Sequence, residues 1–319
     1  MSTVSRREFM GWMGRAGVGA TLLEVIPFNI ARALEAAIEE FPLLWLQLSN
    51  CSGCSVSVIN TIHPSIENVL LDQIIPGYQL VLAFQQTVMA ASGELAVKVL
   101  DRTHEEYKGR YVLIIEGAIP TRDGGVYGSL GETAGKPVPL ADRVRTLAPD
   151  AMAVLCVGTC AAYGGISAAK PNPSGCMGTG EFFKREGIST PIVNIPGCPP
   201  HPDWFIGTVA HILLLGLPGA EDVDEHGRMK LFYGTTIHRS CTRRDYLDDG
   251  VMAQKPGDMG CLLELGCKGP FTKADCSRRS WNSGVNWCIG SGGPCIGCTD
   301  PSFPDGCCPL LVLPGGVSS

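Results

Sequence analysis

Apolar residues along the chain fall into short runs rather than long stripes. Runs of strand length occur at 43–48, 79–84, 111–115, 152–157 and 192–195. None carries more than one polar residue, as expected of strands buried on both faces. The segments 92–107, 140–147 and 203–215 read as helices; the first is rich in Ala, Glu, Leu and Lys. Strands alternating with helices predict an α/β fold, a parallel sheet covered on both faces. Ligands meet such sheets beyond the carboxyl ends of the strands.

The pattern changes near 216–228, where Pro218, Gly219 and the acidic run Glu221-Asp222-Val223-Asp224-Glu225 mark a boundary or an exposed loop. Little periodicity follows. The chain therefore divides into a sheet-forming domain over 41–217 and an irregular Cys-rich domain over 218–319. Residues 1–40 read as a targeting segment. Ser5-Arg6-Arg7-Glu8-Phe9-Met10 is a twin-arginine signature ahead of a mildly apolar stretch, with small residues near a cleavage region. That route carries folded proteins, which suits a chain that takes up a cofactor before export to the periplasm. No later apolar run reaches membrane-spanning length, and no anchor helix is expected before Ser319.

Composition sharpens the picture. Of 319 residues, 45% are apolar, enough for a sizeable core, and the net charge of −6 argues against nucleic acid as a partner. The 15 cysteines cannot all pair, and a chain of this size does not need disulfides to fold. Nine of them lie between Cys241 and Cys308. A segment that irregular needs staples or metals.

Strand ends carry the first set of thiols. The first strand leads to Cys51-Ser52-Gly53-Cys54, where Gly53 is expected to permit a tight turn. The fourth leads to Gly158-Thr159-Cys160 and the fifth to Pro196-Gly197-Cys198. Four thiolates suit zinc or a [4Fe–4S] cluster. Structural zinc usually uses two C-x-x-C knuckles, and this set has only one, its other thiols coming singly, which leans toward a cluster. Two further sets separate by spacing: His238, Cys241, Cys261 and Cys267, then Cys276, Cys288, Cys295 and Cys298. Cys156, inside a strand, reads as packing. Cys176 stays unassigned, and the adjacent Cys307 and Cys308 read as a free or interface pair.

In this order the motifs Cys51-Ser52-Gly53-Cys54, Glu116-Gly117-Ala118-Ile119-Pro120, Gly158-Thr159-Cys160, Pro196-Gly197-Cys198-Pro199-Pro200-His201-Pro202, Glu264-Leu265-Gly266-Cys267-Lys268-Gly269-Pro270 and Pro294-Cys295-Ile296-Gly297-Cys298 closely resemble the small subunit of [NiFe] hydrogenases. The resemblance runs from the twin-arginine signal to about Gly306. It implies a flavodoxin-like domain followed by an irregular iron–sulfur domain, and electron transfer through three [4Fe–4S] clusters. Cys51, Cys54, Cys160 and Cys198 would hold the proximal cluster. Cys276, Cys288, Cys295 and Cys298 would hold the medial one, and His238, Cys241, Cys261 and Cys267 the distal one. Many members carry Pro at the position of Cys288; a Cys there is similar to the selenium-containing branch. Oxygen-tolerant members place extra Cys at the positions of Gly53 and Gly165.

The resemblance also implies partners: a large subunit with the Ni–Fe site, and a cytochrome or other redox acceptor, soluble or held at a membrane. No catalytic residue is expected in this chain. The competing readings are an iron–sulfur subunit of another oxidoreductase, a stand-alone ferredoxin-like carrier and, more distantly, a binding module with structural zinc.

Overall fold

A computed structural model of the chain describes residues 39–62, 64–71 and 78–304. The twin-arginine segment and Cys307-Cys308 lie outside the described residues. The main sheet has five parallel strands: β1 (Glu39–Gln47), β2 (Tyr78–Gln85), β3 (Val112–Glu116), β4 (Ala153–Val157) and β5 (Ile192–Ile195). Their spatial order is β2-β1-β3-β4-β5, the flavodoxin-like order. The order in which strands are added reverses between β1 and β3, which places the ligand crevice beyond those two strand ends.

Helices around the sheet include α1 (Gly53–Ile59), α2 (Gly93–Glu106), α3 (Leu140–Leu147), α4 (Thr159–Tyr163), α5 (Thr179–Glu186) and α6 (Pro202–Leu215). The strand pattern of period two decides which side each residue serves. Leu44, Leu46, Leu113, Ile115, Val154 and Cys156 face one core, shared with Leu100 of α2, Val144 of α3 and Phe182 of α5. Leu43, Trp45, Ile114, Leu155 and Val157 face the other, shared with Val58 of α1 and with α6.

Helix α6 is buried from Trp204 to Ile212. A helix apolar on nearly every face must be covered on more than one side. The covering is the Cys-rich segment: Met229, Phe232, Tyr233, Trp287 and Cys295 join the same core. Beyond Gly216 no described helix or strand exceeds five residues. Polar ties fix this segment in register. Asp275 accepts from Trp204 Nε1 at 2.8 Å, and Arg279 spans Asp203 and Asp275, each at 2.7 Å. Arg228 and Asp224 form a buried pair at 2.7 Å, and Arg228 also donates to the Thr299 carbonyl at 3.1 Å.

Candidate metal centres

The first set assembles at the crevice. After β1, Leu48 N–H donates to the Glu116 carbonyl at 2.8 Å, so the chain follows β3 past its end before reaching Cys51. The tight turn at 51–54 differs from expectation in one respect. Ser52, not Gly53, takes the left-handed backbone, with φ 61°. Gly53 matters for space instead, because a Cβ there would stand 3.2 Å from the Cys51 sulfur. Cys54 sits in the first turn of α1. Gly158 ends β4 at φ 95°, and a Cβ on it would strike the Cys54 sulfur. Cys160 then lies in α4, and Cys198 follows β5 through Pro196 and Gly197.

These four thiols, arriving from three loops, act on one another. Burial pushes the Cys54 thiol well above its ordinary range, reinforced by the charges of Glu116, Cys160, Cys198 and Cys51. Cys198 is pushed up to about 11 by burial and by Cys160 and Cys51. Four sulfurs this crowded carry four negative charges only when cationic iron or another metal neutralises them, with release of their protons.

Glu116 is the site residue that the sequence reading left without a role. It closes a fully buried strand and is itself 0% exposed. Its carboxylate accepts from Trp45 Nε1 at 2.9 Å, from Ser55 N–H at 3.2 Å and from Gln47 Nε2 at 3.3 Å; the Ser55 hydroxyl donates to it as well. A carboxylate so held positions β1, β3 and the start of α1 around Cys54. The signal was available: one charged residue ends an otherwise apolar strand at the binding edge.

The second set gathers in the irregular segment. The Cys276 thiol is raised well above its usual range by burial, then by Cys298, Asp275, Cys295 and Cys288. Burial pushes Cys295 and Cys298 up to about 12 each. Cys288 is the exposed member, next to buried Trp287. The third set, His238, Cys241, Cys261 and Cys267, lines one cavity with Arg243, Leu262 and Ile289. The Cys241 thiol is raised by burial, opposed by the Arg243 N–H that donates to its sulfur at 3.4 Å.

The sets are joined ligand to ligand. The Cys198 N–H lowers the Cys298 thiol against the burial that raises it, and the Cys295 N–H donates to the Cys267 sulfur at 3.4 Å. Lys268 N–H donates to the Cys295 carbonyl at 2.8 Å. Among the described residues no three donors converge as they would on a single ion. A cubane needs no such convergence, since each of its irons takes its own thiolate. Cys156 is fully buried in the sheet core and Cys176 lies buried with the Ser174 hydroxyl 3.2 Å from its sulfur, both outside the three sets.

Comparison with known proteins agrees with this architecture. The family described as NiFe/NiFeSe hydrogenase small subunit (C-terminal) matches residues 233–311, and NADH ubiquinone oxidoreductase, 20 Kd subunit, matches residues 51–212. The periplasmic [NiFeSe] hydrogenase small subunit of Desulfomicrobium baculatum is 40% identical, over 97% of this chain and 99% of its own. The periplasmic [NiFe] hydrogenase small subunit of Solidesulfovibrio fructosivorans is 39% identical, over 95% and 91%. A structure of recombinant [NiFeSe] hydrogenase from Desulfovibrio vulgaris Hildenborough superposes with TM-score 0.78 at 45% identity, covering 84% of this chain and 96% of that one. Sheet, donor sets and likeness together define an iron–sulfur electron-transfer protein. The chain belongs to the small-subunit family of NiFe and NiFeSe hydrogenases, the electron-transfer subunits of those enzymes. No described helix is long and apolar enough to cross a membrane.

Proposed function

We propose that this chain carries electrons from H2 oxidation in a large-subunit Ni–Fe site through three [4Fe–4S] clusters to an external acceptor. Cys51, Cys54, Cys160 and Cys198 hold the proximal cluster, Cys276, Cys288, Cys295 and Cys298 the medial, and His238, Cys241, Cys261 and Cys267 the distal. When bound, each cluster takes up and gives back one electron with little rearrangement, at a potential set by ligand charge, hydrogen bonds and exposure. The observation that carries this reading is the filing of the three donor sets through ligand-to-ligand contacts.

The protein's own part is to fix the ligands and exclude water. Glycine backbones at 158 and 165 bring loops against the Cys54 and Cys160 sulfurs where a Cβ would collide. Thiols raised by burial bind iron in exchange for their protons. His238 contributes a neutral imidazole where the other sets have thiolate, which makes that site less negative and favours its reduced state. It is half-buried, in keeping with an exit terminal. A sheet unit over 41–217 would hold the entry and a unit over 218–319 the exit. The acceptor is a cytochrome or another redox protein, and the twin-arginine segment delivers the assembled pair to the periplasm.

The test is co-purification from the periplasmic fraction. A nickel-bearing large subunit should accompany this chain, with visible iron–sulfur absorption, and Arg6→Lys with Arg7→Lys should leave both subunits in the cytoplasm. Recovery of this chain alone, with zinc or with H2 activity of its own, would contradict the proposal.

A further inference from the structure

Between the first and second donor sets lies a side chain with no role so far. Thr159 is 1% exposed and adjoins Cys160. Its N–H donates to the Gly197 carbonyl at 3.0 Å, and the Gly197 N–H donates back to its hydroxyl oxygen at 2.9 Å. The same hydroxyl donates its proton to the Cys298 carbonyl. One residue therefore ties the loops of Cys160 and Cys198 to the backbone of Cys298.

We propose that Thr159 is a positioning residue that sets the potential of the medial site and its electronic contact with the proximal one. This rests on the assignment of Cys160 and Cys198 to the proximal cluster and Cys298 to the medial. A hydroxyl can donate one hydrogen bond while accepting others, and both capacities are used here. Its proton offsets the negative end of the Cys298 carbonyl beside the medial site. Without it that carbonyl disfavours an added electron. Without it, too, the Gly197 loop loses an anchor, and the hydrogen-bonded link from that loop through the hydroxyl to the Cys298 backbone is broken. The first loss lowers the medial potential, and the second weakens the through-bond path between the two sites.

The experiment uses the assembled heterodimer with Thr159→Val, which keeps the shape without the hydroxyl, and Thr159→Ser, which keeps the hydroxyl. Iron content, an EPR-monitored redox titration and H2 oxidation with a dye acceptor are measured for each. Thr159→Val should retain its iron, show a lower medial midpoint and turn over more slowly, while Thr159→Ser restores both. A wild-type midpoint in iron-replete Thr159→Val would overturn the proposal. Should Thr159→Val fail to assemble, Thr159→Ala takes its place. Loss of medial iron from both would also overturn it, by making the residue a structural prop. Cys298→Ala separates the underlying assignment: loss of the medial signal supports it, and an unchanged medial signal removes the ligand reading itself.

Discussion

The backbone N–H of Cys295 donates to the sulfur of Cys267 across 3.4 Å. The two residues belong to different donor sets, so the second and third sites share a hydrogen bond with no side chain between them. The Lys268 N–H returns the contact to the Cys295 carbonyl at 2.8 Å. A junction built from the Cys267 sulfur and the backbones of Cys295 and Lys268 ties the spacing of the two donor sets to what those sets hold.

Iron removal should therefore act on one part of the molecule first. The segment after Gly216 has no described helix or strand longer than five residues, whereas the sheet is buried on both faces. Metal binding supplies folding free energy to such segments. Chelation under reducing conditions should abolish hydrogen-exchange protection over 235–300 while β1, β3 and β4 stay protected. Equal loss across the whole chain would show that the clusters are not what holds the segment.

Replacing Glu116 tests the hub beneath the first site. Glu116→Ala leaves the Trp45 Nε1 and Ser55 N–H groups without their acceptor. Orphaned buried donors cost about 1–3 kcal/mol each, so a loss of about 2–6 kcal/mol is expected for the two. A denaturant midpoint for the heterodimer within error of wild type would contradict the role given to this carboxylate.

Gly53 and Gly165 bear on oxygen. A Cβ on Gly53 would stand 3.2 Å from the Cys51 sulfur and one on Gly165 2.9 Å from the Cys160 sulfur, so both positions adjoin the first set. Neither is Cys here, so the site proposed for the proximal cluster gains no fifth or sixth thiol from these positions. H2 oxidation should be inhibited by O2 without the quick recovery of oxygen-tolerant relatives. Prompt recovery on removing O2 would count against a four-thiolate proximal site.

The sheet was legible because its strands are apolar on both faces and therefore stand out as runs. The bounds of β2 to β5 lie within one residue of those runs, whereas β1 begins four residues early, at Glu39, inside the span read as a targeting segment; α3 coincides with its predicted span. Helices α1 and α4 were not legible, being too short for their periodicity to register, and α5 is short, with Gly180 inside it and Gly178 and Gly187 as its caps. The donors were visible by type and spacing. Their company was not: Glu116 and Thr159 act through partners 61 and 139 residues away in sequence, which only the folded chain brings together. Gly53 was noticed for backbone freedom, but its neighbour Ser52 supplies the turn while Gly53 supplies room.

The central claim is a file of three cubanes, and Cys288 is where it is most exposed to test, because a fourth thiolate there decides between a four-iron and a three-iron medial cluster. The measurement is EPR of the oxidised, anaerobically prepared heterodimer. An oxidised [4Fe–4S] cluster is silent and an oxidised [3Fe–4S] cluster is paramagnetic, so the spectrum should lack a stoichiometric three-iron signal. Cys288→Pro should create that signal and raise the medial potential, and Cys156→Ala should do neither. A near-stoichiometric three-iron signal in the intact enzyme would contradict the assignment.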